Sequence, residues 1–218
     1  KIKEDCAGYY GLLYIANDRT IISTKTYNEV LKAVDALKTS DSTKFYFEPN
    51  NMFDDDIQRF YQLKFKATFN DVEYRCMMDE CIVVHSKKLI IPIDLKTSSH
   101  TEWDFAESFI KWNYMIQGRL YARLLKATIE KDEYFKDFTI APYKFIVVNR
   151  STLTPLVWNF EDTFKEGDLV YGRDKQYIFR DPFIIGEELF KYLKDRPKIP
   201  NGINLNKPNS LTEWLNKL

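Results

Sequence analysis

Asp94 and Lys96 stand two residues apart in IPIDLKTSS, a run otherwise as apolar as a buried strand. Side chains alternate along a strand, so Leu89, Ile91, Ile93 and Leu95 share one face, and Ile90, Pro92, Asp94 and Lys96 share the other. A carboxylate and an amine therefore point the same way, side by side. A hairpin turn centred on Ser86-Lys87 sets Asp79 opposite Asp94, whereas an odd-length loop or a bulge would shift that pairing. Two carboxylates facing each other on neighbouring strands repel. A divalent cation with oxygen ligands from both offsets the repulsion, and Lys96 adds a positive charge where a water or a phosphate would sit. The plain alternative is a strand end at the surface with Lys96 pairing with Asp94.

A second group of residues lies on the helical pattern that follows, Phe105 to about Thr128. At about 100° per residue, Ile110, Leu120, Tyr121 and Leu124 fall on the side of Gln117, and Arg119, Arg123 and Lys126 fall opposite. The three basic residues read as a solvated face. Gln117 and Tyr121, at i and i+4, lie within the apolar stripe, and a buried glutamine needs hydrogen-bond partners. They are either an ordinary satisfied core pair or part of the Asp94 site.

The elements that must position these residues are legible as patterns. Thr20–Ile22 suggests a short strand ahead of a helix striped by Val30, Leu31, Val34 and Leu37. Phe60–Phe69 alternates, Asn70-Asp71 signals a turn, and Val72–Asp79 returns. With the strands either side of the polar break His85–Lys88, this predicts an antiparallel meander. After the long helix, APYKFIVVNR and TPLVWNF read as strands, Pro182–Leu193 as a late helix, and Leu211–Leu218 as a last apolar stretch after a tail rich in Pro and Asn. The expected fold is α/β (α+β), one mixed β-sheet flanked by helices, with residues 1–218 as one domain.

Composition removes several function classes. The 32 basic and 32 acidic residues cancel, so a polyanion must be held by a local basic surface. Lys87, Lys88, Arg119, Arg123, Lys126 and Arg150 are available for that. Trp103, Trp112 and Tyr114 are either base-stacking groups or core and rim residues. Three cysteines with no CxxC pair indicate reduced thiols rather than a disulfide scaffold, and two histidines make a zinc cage improbable. No run approaches a membrane span, and no signal peptide is visible. The chain begins at Lys1 without a methionine, which leads us to expect further residues upstream.

Asp79, IDLKTSS and QGRLY together resemble the PD-(D/E)xK nuclease superfamily, within it the RecB-like group with its Q-x-x-x-Y helix. IDLKTSSHTEWDFAESFIKWNYMIQGRLYARLL is most similar to the exonuclease VIII and lambda exonuclease-like branch of phage and prophage recombination modules. The likeness spans about Phe60 to Leu125. It implies a restriction-endonuclease-like core. It also implies Mg2+ or Mn2+ bound by Asp79, Asp94 and the backbone carbonyl of Leu95. Lys96 would orient or help deprotonate the attacking water. Gln117 and Tyr121 would brace the site and contact the DNA backbone, and Thr97 follows the lysine as in the family pattern.

The chain departs from the pattern where Arg75, Cys76, Met77 and Met78 replace the usual glycine before the first aspartate. Gln62 stands where an acidic residue is common, and Glu29 is the available upstream acid. These gaps bear on a second metal position.

The resemblance implies a cytoplasmic deoxyribonuclease of a bacterial host cell, an exonuclease of recombination or repair that acts on linear double-stranded DNA, with single-stranded DNA as the alternative substrate and a homo-oligomer or a recombination protein as its partner. Two readings compete with it. One is an inactive nuclease fold that binds DNA or a protein; the other is a scaffold whose charged set is an ion-pair cluster.

Overall fold

The computed structural model describes residues 6–195 apart from 18, 52, 54, 174 and 175. Leu211–Leu218 and the tail before it lie outside the described residues. Helix α1 (Ala7–Ala16) buries none of its side chains. Helix α2 (Thr24–Thr39) begins at Ser23, whose Oγ accepts a hydrogen bond from the Thr26 N–H at 3.1 Å and satisfies one of the free amides of the first turn. Thr20–Ile22 is not a strand; three residues without a neighbour to pair with only lead into this cap.

Strands β1 (Ile57–Phe69), β2 (Val72–Val84) and β3 (Leu89–Ser98) form the expected antiparallel meander. Its first turn uses Asn70 and Asp71 at positive φ (47° and 65°), which these residues tolerate better than most. Helices α3 (Phe105–Lys111) and α4 (Tyr114–Ile129) then cross over the sheet. Strands β4 (Thr139–Ile140) and β5 (Tyr143–Asn149) return parallel to β3, and β6 (Pro155–Phe160) pairs antiparallel with β5. The order is β1-β2-β3-β5-β6, with β4 beside β3. A small hairpin of β7 (Leu169–Tyr171) and β8 (Gln176–Ile178) and helix α5 (Pro182–Asp195) follow. The protein is thus α/β, a mixed sheet flanked by helices.

Each face of the sheet has its own core. On one, Met78, Cys81, Val83, Ile90, Phe145 and Val147 pack against Phe105, Phe109, Met115 and Leu125 of α3 and α4. On the other, Ile82, Val84, Ile91, Ile93, Ile146 and Val148 meet Leu37 of α2. Cys76 and Cys81 are buried free thiols whose pKa burial pushes up to about 11 and about 12, so they stay protonated and inert.

The single helix expected from Phe105 to Thr128 is two. Asn113 takes a left-handed conformation (φ 54°) between them, and this redirects α4 so that its apolar face lies along the sheet. Gly118 permits the close approach: a Cβ there would fall 2.6 Å from the Phe160 ring.

Arg119 corrects a second expectation. Arg123 and Lys126 are exposed as a solvated face requires, but Arg119 is only 5% exposed. The chain after β6 passes over this side of α4 and encloses it. Arg119 bonds both carboxylate oxygens of Asp162, reaches Asp181 at 2.8 Å, donates to the Phe164 carbonyl and stacks on Phe179. Replacing it by Met strands Asp162 and Asp181 and should cost roughly 3 kcal/mol, whereas Lys126→Met should stay within about 0.5 kcal/mol. Urea unfolding midpoints of the two variants check this.

Candidate functional site

The site lies where two paired strands part. The β2–β3 ladder runs from Val84 opposite Leu89 to Glu80 opposite Ile93 and ends there. Asp79 and Asp94 are the next residues on each strand, in the register that a turn at Ser86-Lys87 implies. The Asp79 side chain takes over from the ladder: its Oδ2 accepts the Leu95 N–H at 2.8 Å. One carboxylate oxygen thus closes the fork, and the carboxylate stays partly exposed there.

Asp94 is 2% exposed. Its Oδ1 accepts a hydrogen bond from Gln117 Nε2 at 2.5 Å, and Lys96 Nζ lies 2.6 Å from its Oδ2. The Lys96 ammonium also sits 4.9 Å above the Tyr114 ring, which is itself stacked on Phe105 and Phe145. Salt bridge and cation–π contact together hold the amine. Burial pushes the Asp94 carboxyl above its ordinary pKa, Lys96 opposes this, the Asp79 charge adds to the rise, and Gln117 opposes it. Two acids with one lysine leave the fork short of positive charge.

The remaining residues singled out from the sequence fall at various distances from this centre. Tyr121 packs edge-on to Tyr143 at 6.2 Å, and burial raises its pKa. Gln62 lies across β1 from Asp79, exposed and with φ 50°, in a gap between the pairs Tyr61–Glu80 and Leu63–Met78. Thr97 points to the opposite side of β3 from Lys96 by strand alternation. Glu29, on α2, is on that opposite side too and is not brought to the aspartate pair. Lys87 and Lys88 lie at the turn, the far end of the hairpin from the fork. Trp103 and Trp112 are exposed.

The sequence does not reveal a step in side-chain alternation at Asp79. Met78 and Cys76 point to the α4 side before it, and so do Cys81 and Val83 after it. Glu80 therefore turns to the α2 side. It is 1% exposed, neither oxygen has a hydrogen-bond partner, and burial pushes its carboxyl up to about 7, with Arg59 opposing. Tyr114 was visible only as an aromatic residue. Its place one helical turn before Gln117 is the signal that it shares that face.

Chemically, the centre offers two carboxylates and a lysine. Among the described residues no group of three or more His, Cys, Asp or Glu gathers in one place. A hard cation such as Mg2+ needs no such cage; it is commonly held by one or two carboxylates, with waters and substrate phosphates completing its shell. The donor set fits that chemistry.

No family model matches the chain. No curated protein matches it either. Among solved structures, a crystal structure of a "putative exonuclease" from Eubacterium rectale superposes with a TM-score of 0.43 and 13% identity, covering 97% of this chain and 71% of that one. Superposition of that degree specifies no chemistry.

Glu80 carries a pH signature. Its folded pKa, about 7, exceeds the ordinary value of 4.5, so the folded state holds this proton more tightly than the unfolded chain. Its contribution to stability is fully present below about pH 4.5 and is lost as pH rises towards 7. Glu80→Gln should match the wild type in stability at pH 4 and exceed it by on the order of 2 kcal/mol at pH 8. Denaturant melts at both pH values measure the difference.

Proposed function

We propose that this protein is a metal-dependent nuclease that hydrolyses DNA phosphodiester bonds at the Asp79–Asp94–Lys96 fork. The observation that carries the reading is the convergence on Asp94: Gln117 on one oxygen, Lys96 on the other, and Asp79 anchored on the next backbone amide. Asp79, Asp94 and the Leu95 carbonyl would hold Mg2+ or Mn2+. When bound, that ion lowers the pKa of a coordinated water and neutralises charge on phosphate oxygens.

The chain's own residues do the rest. Gln117 fixes the rotamer of Asp94, so a buried acid keeps one oxygen facing the reacting groups. Asp79 spends Oδ2 on the fork and keeps Oδ1 as a ligand. Tyr114 supports Lys96 so that its ammonium can turn from Asp94 to the attacking water or to the pentacoordinate phosphate. Water gives up a proton as its oxygen bonds to phosphorus, the bond to one sugar oxygen breaks and that oxygen leaves as a hydroxyl with a proton from solvent, and the negative charge on the phosphate oxygens rises where Lys96 stands. The preference for an exonuclease of recombination or repair, of the phage type, with linear duplex as substrate, rests on the sequence resemblance.

The test is end-labelled linear duplex DNA with Mg2+ or Mn2+, with EDTA and Lys96→Ala run alongside. Wild type should shorten the DNA progressively from an end, EDTA should stop it, and Lys96→Ala should lose at least about 100-fold in rate while still folded at the assay temperature by circular dichroism. Tighter DNA binding in Mg2+ with no product in any lane would instead identify a binding module. Cleavage undiminished in Lys96→Ala would remove the lysine from the mechanism.

A further inference from the structure

A groove of mixed lining, with Val30, Ala33, Val148 and Leu153 among its walls, opens on the other side of β3 from Asp94. It lies between α2 and the ends of β3 and β5, has a volume of about 410 Å³, and is lined by Thr26, Glu29, Thr97, Ser99, Val148 and Arg150 among others. That is the size range of small-ligand sites. Its chemistry is mixed. Hydroxyls from Thr26, Thr97 and Ser99 line it together with the Arg150 side chain. Val148 is a buried apolar wall. Among the described residues its one lining carboxylate is Glu29, weakly paired with Lys25 at 3.9 Å.

Arg150 distinguishes the groove from an ordinary surface dent. Its backbone is held: its N–H donates to the Ser98 carbonyl at 2.8 Å. The adjoining Asn149 side chain accepts from the N–H groups of Ser151 and Thr152 and donates to the His100 carbonyl. Its guanidinium takes no hydrogen bond or ion pair among the described residues, unlike Arg59, Arg119 and Arg180. A guanidinium with no partner, carried on an anchored backbone beside the hydroxyl residues Thr97 and Ser99, is suited to a phosphate.

The groove also adjoins the fork. β2 leaves β3 after Ile93, and past that point the Asp79 carboxylate rather than a strand partner takes the Leu95 N–H. Leu95 is exposed there. Lys96 faces the fork and Thr97, the next residue of the same strand, lines the groove, so the two places adjoin across β3.

We infer that this groove is a subsite for the same nucleic-acid strand that lies at the fork. Arg150 and the hydroxyls of Thr97 and Ser99 bind a phosphate a short distance along the strand from the bond that is cut, and Val148 meets the adjoining sugar or base. This inference rests on the nuclease reading for the identity of its ligand, but binding tests it without cleavage.

The experiment measures fluorescence anisotropy of a labelled 12-nucleotide single-stranded DNA, in EDTA, across a salt series. Wild type and Arg150→Gln are compared, with Thr97→Val as a second variant that keeps the charge. Arg150→Gln should bind at least 10-fold more weakly and show a salt slope shallower by about one, the signature of one lost phosphate contact. Thr97→Val should weaken binding by less and leave the slope unchanged. Equal affinity and slope in wild type and Arg150→Gln overturns the inference, whether or not the protein cleaves DNA. Loss of binding in Arg150→Gln from a wild type that never cleaves would uphold the groove and overturn the nuclease reading.

Discussion

The constraint on which the rest depends is the parting of β2 from β3 at Asp79. A sheet that continued its ladder would bury Asp94 among backbone hydrogen bonds and leave no room for a ligand. Instead the Asp79 carboxylate takes the Leu95 amide. The Leu95 backbone donor is thus satisfied by a side chain where the two strands diverge. The same divergence creates the fork.

Everything near Asp94 compensates for burying a carboxylate. An acid 2% exposed is costly unless each oxygen is bonded. Gln117 reaches one oxygen because Gly118, next to it, lets α4 settle against Phe160. Lys96 reaches the other because Tyr114 holds it from above. The break at Asn113 matters to both, since it sets the direction of the helix that carries Tyr114 and Gln117. Arg119, on the back of α4, locks the helix to the segment that follows β6. The centre is therefore held from two sides of a single helix.

Local patterns in the sequence carried a good part of this. The turn at Ser86-Lys87 sets the β2–β3 register because hairpin pairing propagates rigidly from its turn. The stripe of α2, the alternation of β1 and the apolar runs of β5 and β6 each follow from periodicity within one segment. Gln117 stood out because an amide in an apolar stripe must have a partner. The short strand at Thr20–Ile22 failed, since strand formation depends on a neighbour rather than on composition. Arg119 failed because a helical wheel shows angles around one helix and nothing of the chain that later covers it.

The residue types by themselves framed the proposed chemistry: two acids and a lysine in close register, with an amide and a tyrosine on the next helix, are the residue types that hard-cation and phosphate chemistry uses. Only the tertiary structure decided which of them meet. Strand alternation steps by one at Asp79, turning Glu80 into the opposite core. It put Glu29 and Thr97 on the far side of β3 from the aspartates, beside Arg150. The physical reason is the range of the interactions. Register and amphipathicity are set by neighbours along the chain, while which side of a sheet a distant helix covers is set by burial summed over the whole molecule.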